Sequence, residues 1–99
     1  MKIKYKPLFQ NNFFKLVKSD IELQKEIEKE IENIENRYNQ KNYRIKNIVF
    51  FDNDIKVNGF IYDFIPRNSF YKPNSNDFRF TIYFSVEKDI ITLFDIVFN

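Results

Sequence analysis

The stretch that most limits what this chain can fold into runs from Phe78 to Phe98. Phe78, Phe80, Ile82, Phe84 and Val86 alternate with Arg79, Thr81, Tyr83 and Ser85. A period of two places the first set on one face of a strand and the second on the other, the pattern of a half-buried strand. After Glu87-Lys88-Asp89 comes Ile90-Ile91-Thr92-Leu93-Phe94-Asp95-Ile96-Val97-Phe98, apolar at both parities except at Thr92 and Asp95. Its β-branched and aromatic content favours strand over helix, and its two apolar faces predict a central strand covered on both sides. The two runs read as a β-hairpin closed by a short polar loop. The rest of the chain must cover it.

Met1 to Tyr5 sets Ile3 and Tyr5 against Lys2 and Lys4, a short first strand whose lysines suit a sheet edge. From Leu8 to Lys18, Phe9, Phe13, Leu16 and Val17 follow helical spacing, with Pro7 acceptable in the first turn. Ser19 and Asp20 can each cap a second helix, and Ser19 would put Glu22 at the capping-box position. Leu23, Ile27, Ile31, Ile34 and Tyr38 then lay one apolar stripe along about five helical turns. That stripe fits one-sided packing on a sheet; a coiled coil is the sharper alternative, for which the repeat is short.

Tyr43 to Phe51 is the next strand, entered through Lys41, Arg44 and Lys46, and Asp52-Asn53-Asp54 is its turn. A calcium loop of EF-hand type is excluded, because Lys56 and Val57 stand where a ligand and a glycine are needed. Val57 to Ile65 is a further strand holding Gly59, the only glycine, which marks a bulge or a close approach. Residues 66–77 form a polar loop with Arg67, Phe70, Tyr71 and Lys72, groups of the kind that stack on and neutralise single-stranded nucleic acid. A plain hairpin tip is the alternative. The predicted fold is α+β: an N-terminal strand, two helices on one face of a mainly antiparallel sheet, and a four-strand meander. Ninety-nine residues make a single domain, 1–99.

The chain has no Cys and no His, which excludes disulfides, thiolate nucleophiles and the usual zinc or copper ligands, and removes the commonest general base. No cofactor is implied. There is no Gly-rich phosphate loop, nucleophile elbow or metal cluster to support a small metabolic enzyme. No run reaches the length of a membrane span, and the lysine-rich start lacks the apolar run of a signal peptide, so a cytoplasmic location is expected. The net charge of +2 is segregated: Asp20 to Asn36 carries seven acidic and two basic residues, the remainder seven acidic and fourteen basic. One face is therefore expected to be acidic and another basic, the latter attractive to a polyanion.

Gly59-Phe60-Ile61-Tyr62-Asp63-Phe64, then Phe78-Arg79-Phe80-Thr81-Ile82-Tyr83-Phe84, then the apolar run Ile90 to Phe98 resemble, in their order along a chain of this length, the RelE/ParE superfamily of bacterial toxins and its HigB-like members, with Tyr83 one residue beyond the family's usual tyrosine position. In that family a strand and a helical hairpin precede a strand bearing a tyrosine, a strand with a Tyr/Phe-Arg dipeptide, and a final apolar strand. The resemblance implies a toxin of a toxin–antitoxin system that acts on translation or RNA, with metal-independent mRNA endoribonuclease activity as one form of that action, held by an antitoxin. It implies that Arg79 meets the scissile phosphate, where a guanidinium can bind two oxygens and stabilise developing charge. Tyr83 would add a hydroxyl from the same face. The basic residue of the middle strand is replaced here by Ile65, leaving Arg67 as its substitute. Lys41, Arg44, Lys46, Tyr71 and Lys72 would form the surrounding nucleic-acid surface.

Two other readings stand beside it. Arg79 can instead be a surface residue paired across the sheet with Asp63 or Asp95, and Tyr62 and Tyr83 packing residues with hydroxyls at the rim. The whole chain can be a non-enzymatic inhibitor of the kind carried by phages or mobile elements. Such an inhibitor would bind a protein target through the acidic helix at Glu26, Glu30 and Glu35, or through the exposed face of the hairpin.

Overall fold

A computed structural model describes residues 1–65 and 79–98. The elements follow as β1 (Lys2–Tyr5), α1 (Pro7–Val17), α2 (Ile21–Asn39), β2 (Ile45–Asp52), β3 (Ile55–Phe64), β4 (Phe80–Glu87) and β5 (Ile90–Phe98). The strands form one sheet in the order β1-β5-β4-β3-β2. The α+β class and the order of elements are as expected. The sheet, however, is mixed and five-stranded: β2 to β5 form the antiparallel meander, and β1 adds to β5 in parallel, from Lys2 beside Ile90 to Tyr5 beside Leu93. Alternation in Met1 to Tyr5 marks a strand but carries no information on the direction of its neighbour. The two helices between β1 and β2 supply the crossover that a parallel edge needs.

β1 covers only the first half of β5. Where it ends, the Lys6 N–H donates to the Leu93 carbonyl at 2.9 Å. Beyond that point α1 lies beside β5, with Asn12 Nδ2 donating to Asp95 Oδ1 at 2.6 Å. β5 is central in order, yet only one of its faces is fully buried, a correction to the expected two-sided cover. Ile91, Leu93 and Ile96 are buried, while Thr92, Phe94 and Val97 are half-buried. Tyr83 lies opposite Asp95 and Phe84 opposite Leu93, so Phe94 is the extra residue of a bulge.

The core lies between the helices and one face of the sheet. Leu23, Ile27 and Ile34 of α2 are wholly buried and Ile31 nearly so, packed with Tyr62, Phe64, Phe80, Ile82, Phe84, Ile91, Leu93 and Ile96. Phe9 and Val17 of α1 join the same cluster. Tyr38 completes the stripe edge-on to Phe60, ring centres 5.0 Å apart. Of the two possible caps, Asp20 is the one used: its carboxylate accepts the Leu23 N–H at 3.0 Å.

The C-terminus of α2 closes in a Schellman motif. The Lys41 N–H donates to the Tyr38 carbonyl at 3.1 Å and the Asn42 N–H to the Arg37 carbonyl at 3.0 Å. Lys41 takes φ 53°, the left-handed conformation that favours glycine. In the β2–β3 turn Asn53 and Asp54 both have positive φ, 49° and 69°, which their short polar side chains tolerate.

The outer face of the sheet, away from the helices, is concave. Phe50 of β2 stands edge-on to Phe94 of β5, ring centres 5.1 Å apart, and 5.6 Å from Tyr83, although β3 and β4 lie between β2 and β5. In a flat sheet those strands would be roughly 14 Å apart. Lys6 spans the concavity, its Nζ 5.5 Å from the Phe94 ring centre and 3.2 Å from Asp52 Oδ2. Gly59 permits the bend. A Cβ there would lie 2.5 Å from the Phe84 carbonyl oxygen and 2.8 Å from Phe50 Cε1. The β3–β4 ladder ends one residue away, at Phe60 beside Phe84. Gly59→Ala should therefore cost about 2–3 kcal/mol by overpacking, measured by urea unfolding. A loss below about 0.5 kcal/mol, the range of ordinary surface changes, would contradict the close approach.

Candidate functional site

At one end of the sheet, α2 finishes, β2 begins, β3 finishes and β4 begins. Two adjoining hollows open there, sharing Tyr43, Arg44, Phe64 and Ile65. The larger, about 540 Å³, runs beside α2 and adds Glu26, Lys29, Glu30, Asn33, Arg37 and Asn42. The smaller, about 200 Å³, adds Lys46, Asp63 and Arg79 on the outer side of the sheet.

The segment between α2 and β2 is held mainly by local hydrogen bonds, so Tyr43 and Arg44 precede β2, which starts at Ile45, although the Arg44 carbonyl already accepts the Asp63 N–H of β3 at 3.3 Å. After left-handed Lys41, Asn42 Oδ1 accepts the Arg44 N–H at 2.9 Å. Arg44 Nε donates to the Tyr43 hydroxyl at 3.1 Å, and its guanidinium lies 5.6 Å from that ring's centre. Tyr43 itself is 79% exposed, with a ring face free to stack.

Arg79 stands just before β4 with Asp63 as its partner, Nε to Oδ2 at 3.9 Å. Asp63 is also held by the Thr81 hydroxyl, which donates to Oδ1 at 2.6 Å. Asp95, the other candidate partner of Arg79, accepts from Asn12 instead. An ion pair this long, on a half-exposed arginine, is worth little and leaves the guanidinium available to an incoming anion.

The larger hollow has a polar floor that sequence reasoning missed. The Tyr62 hydroxyl donates to Glu30 Oε2 at 2.8 Å, and an Arg37 terminal nitrogen donates to Glu30 Oε1 at 3.0 Å. The Arg37 guanidinium lies 5.6 Å from the Tyr62 ring centre, and its buried Nε has no hydrogen-bond partner among the described residues. Burial and the adjacent Glu30 carboxylate push the Tyr62 hydroxyl well above the usual tyrosine range. Glu30 and Arg37 stand seven residues apart, two helical turns along one face of α2. That spacing was the available signal, but it was hidden among the many charges of the helix.

The structure gathers Arg44, Lys46 and Arg79 around one hollow and sets Lys41 apart, exposed, in its capping conformation. Tyr83 is not with them: it packs beneath Phe50 in the concave cluster, four residues along β4 from Arg79. Arg67, Tyr71 and Lys72 lie outside the described residues. Of the acidic trio on α2, Glu30 faces the hollow, Glu26 lines it, and Glu35 pairs with the Met1 amino group. Among the described residues no cluster of acidic side chains is arranged to hold a metal ion, and no helix is long and apolar enough to cross a membrane. No protein-family model, curated protein or solved structure matches this chain.

Two outcomes follow from this geometry. In an alkaline titration followed by tyrosinate absorbance, Tyr62 should ionise after an ordinary tyrosine, and Tyr62→Phe should remove that late step. Because the folded value lies above the unfolded value of about 10, the stabilisation is complete below pH 10 and lost as pH rises beyond it. A Tyr62→Phe protein whose stability falls as steeply above pH 10 would contradict this. Separately, Lys41→Gly should stabilise the fold by about 1 kcal/mol through relief of the left-handed strain, readable as a higher urea midpoint; a lower midpoint would give Lys41 some other role.

Proposed function

We propose that this chain is a RelE/ParE-like protein of the toxin–antitoxin type that engages single-stranded RNA at the end of its sheet and thereby acts on translation. The observation that carries the reading is the convergence of Arg44, Lys46 and Arg79 on one hollow beside the exposed ring of Tyr43. Three cations, two from the entry to β2 and one from the start of β4, can follow a phosphate backbone, and an exposed tyrosine gives one base a surface to stack on. Arg79 is the phosphate contact, with a guanidinium able to grip two oxygens.

Binding, rather than cleavage, is the part of the toxin reading that the site supports. Strand cleavage needs a group to take the 2′-hydroxyl proton and another to protonate the leaving oxygen. The Tyr62 hydroxyl is committed to Glu30 and resists ionisation, and Tyr83 is packed under Phe50 away from Arg79. The non-enzymatic reading gains from this, whereas its version with the acidic helix as docking face is not favoured, since Glu30 and Glu35 are paired within the chain.

The test is the salt dependence of binding to a short single-stranded RNA. With three phosphate contacts the slope of log K against log salt should be about −2, and Arg44→Ala or Arg79→Ala should each reduce it by about 0.7. Expression in a bacterial host should slow growth while leaving mRNA intact, and Arg79→Ala should relieve the effect. No RNA binding at low salt would overturn the proposal.

A further inference from the structure

The two edges of the sheet are finished differently. β1 carries Lys2 and Lys4, and β5 beyond it is covered by α1, so that edge is charged and blocked. Among the described residues β2 has no strand on its other side, and it shows Val49 at 52% and Phe51 at 70% exposure. An edge strand of eight residues with exposed apolar side chains is a template for another strand.

The backbone phase of β2 says which residues face outward. Asp52 and Ile55 close a two-residue hairpin loop, so they form a hydrogen-bonded pair, and hydrogen-bonded pairs recur at every second residue along β2. The Asp63 N–H donating to the Arg44 carbonyl at 3.3 Å fits the same phase. Even-numbered residues of β2 thus bond to β3. Asn47, Val49 and Phe51 turn their N–H and C=O groups to the free edge.

We infer that this edge pairs with a second copy of the chain, β2 against β2 in antiparallel sense about a two-fold axis at Val49. Self-complementary charge singles out the occupant and the register. Lys46 and Asp52, the two charged residues of β2, lie three residues to either side of Val49. Pairing Val49 with Val49 sets each Lys46 opposite the other copy's Asp52, sets Asn47 opposite Phe51, and uses only the outward backbone groups. The same sheet then continues through both copies as ten strands, a closed isologous arrangement. Asp52 already neutralises Lys6 at 3.2 Å, so each end of the seam holds two cations about one carboxylate, while Val49 and Phe51 leave water at its centre. The inference does not depend on the RNA reading.

Sedimentation equilibrium of the full chain, without nucleic acid, from about 10 µM to about 1 mM should show reversible dimerisation. Lys46→Asp and Asp52→Lys should each weaken the dimer about tenfold by placing like charges opposite one another twice, and the double exchange should restore it to within about threefold. The chain has no cysteine, so a single introduced thiol reports the register. Val49→Cys sets its two copies about 5.5 Å apart between Cα atoms, within disulfide reach, and should oxidise to a covalent dimer. Asn47→Cys sets its copies roughly 13 Å apart and should not. A monomer across the whole range, equal cross-linking at both positions, or a double exchange that fails to restore pairing would each overturn the inference.

Discussion

The apolar stripe of α2 can leave water only against the aromatic face of the sheet, and that docking sets where every other group falls. Leu23, Ile27, Ile31 and Ile34 are buried on Tyr62, Phe64, Phe80, Ile82 and Phe84. Each large apolar side chain so buried contributes on the order of 1.5–3 kcal/mol. With α2 held in this register, its last turns end above the C-terminal end of β3. Arg37 reaches the Glu30–Tyr62 pair, and the Schellman turn delivers Tyr43 and Arg44 to the rim where Arg79 stands. A buried tyrosine whose hydroxyl emerges into a polar hollow links the two regions: its ring belongs to the core and its oxygen to the site.

The second organising feature is the curl of the sheet about Gly59. By folding the β2–β3 hairpin across the outer face, it packs Phe50 against Tyr83 and Phe94 and so supplies a small, half-buried aromatic cluster on the face away from α1 and α2. The same curl leaves the opposite side of the hairpin uncovered, which is why Val49 and Phe51 are exposed while Ile48 and Phe50 of the same strand are not. Tyr83 is drawn into this cluster, which separates it from Arg79 although the two share a strand face in the sequence.

Local periodicity carried much of the fold. The stripe from Leu23 to Tyr38, the alternation from Phe80 to Val86 and the turn at Asp52-Asn53-Asp54 each mark their element because the signal lies within a few residues. What depends on distant parts of the chain was not legible. Nothing in Lys2–Tyr5 says that it pairs in parallel with β5, and nothing in Ile90–Phe98 says that only one of its faces is buried. Gly59 alone leaves a bulge and a close approach open, and the curl it permits depends on Phe84 and Phe50 arriving together. At the site, Arg44, Lys46 and Arg79 could be named as cations, and only the fold brings them to one hollow. The Glu30–Arg37–Tyr62 network joins α2 to β3: the spacing of Glu30 and Arg37 lies in α2, but nothing in either element alone says that Tyr62 completes it.

The central claim is that one end of the sheet, and not the concave aromatic cluster or the acidic helix, is the surface that meets a phosphate backbone. Amide shift mapping by NMR during titration with a short single-stranded RNA tests it most directly. Shifts concentrated at Asn42 to Lys46, Asp63 to Ile65 and Arg79 to Thr81, fading as salt rises, are the expected result. Shifts centred on Phe50, Tyr83 and Phe94, or along Glu22 to Glu32 of α2, would contradict the account.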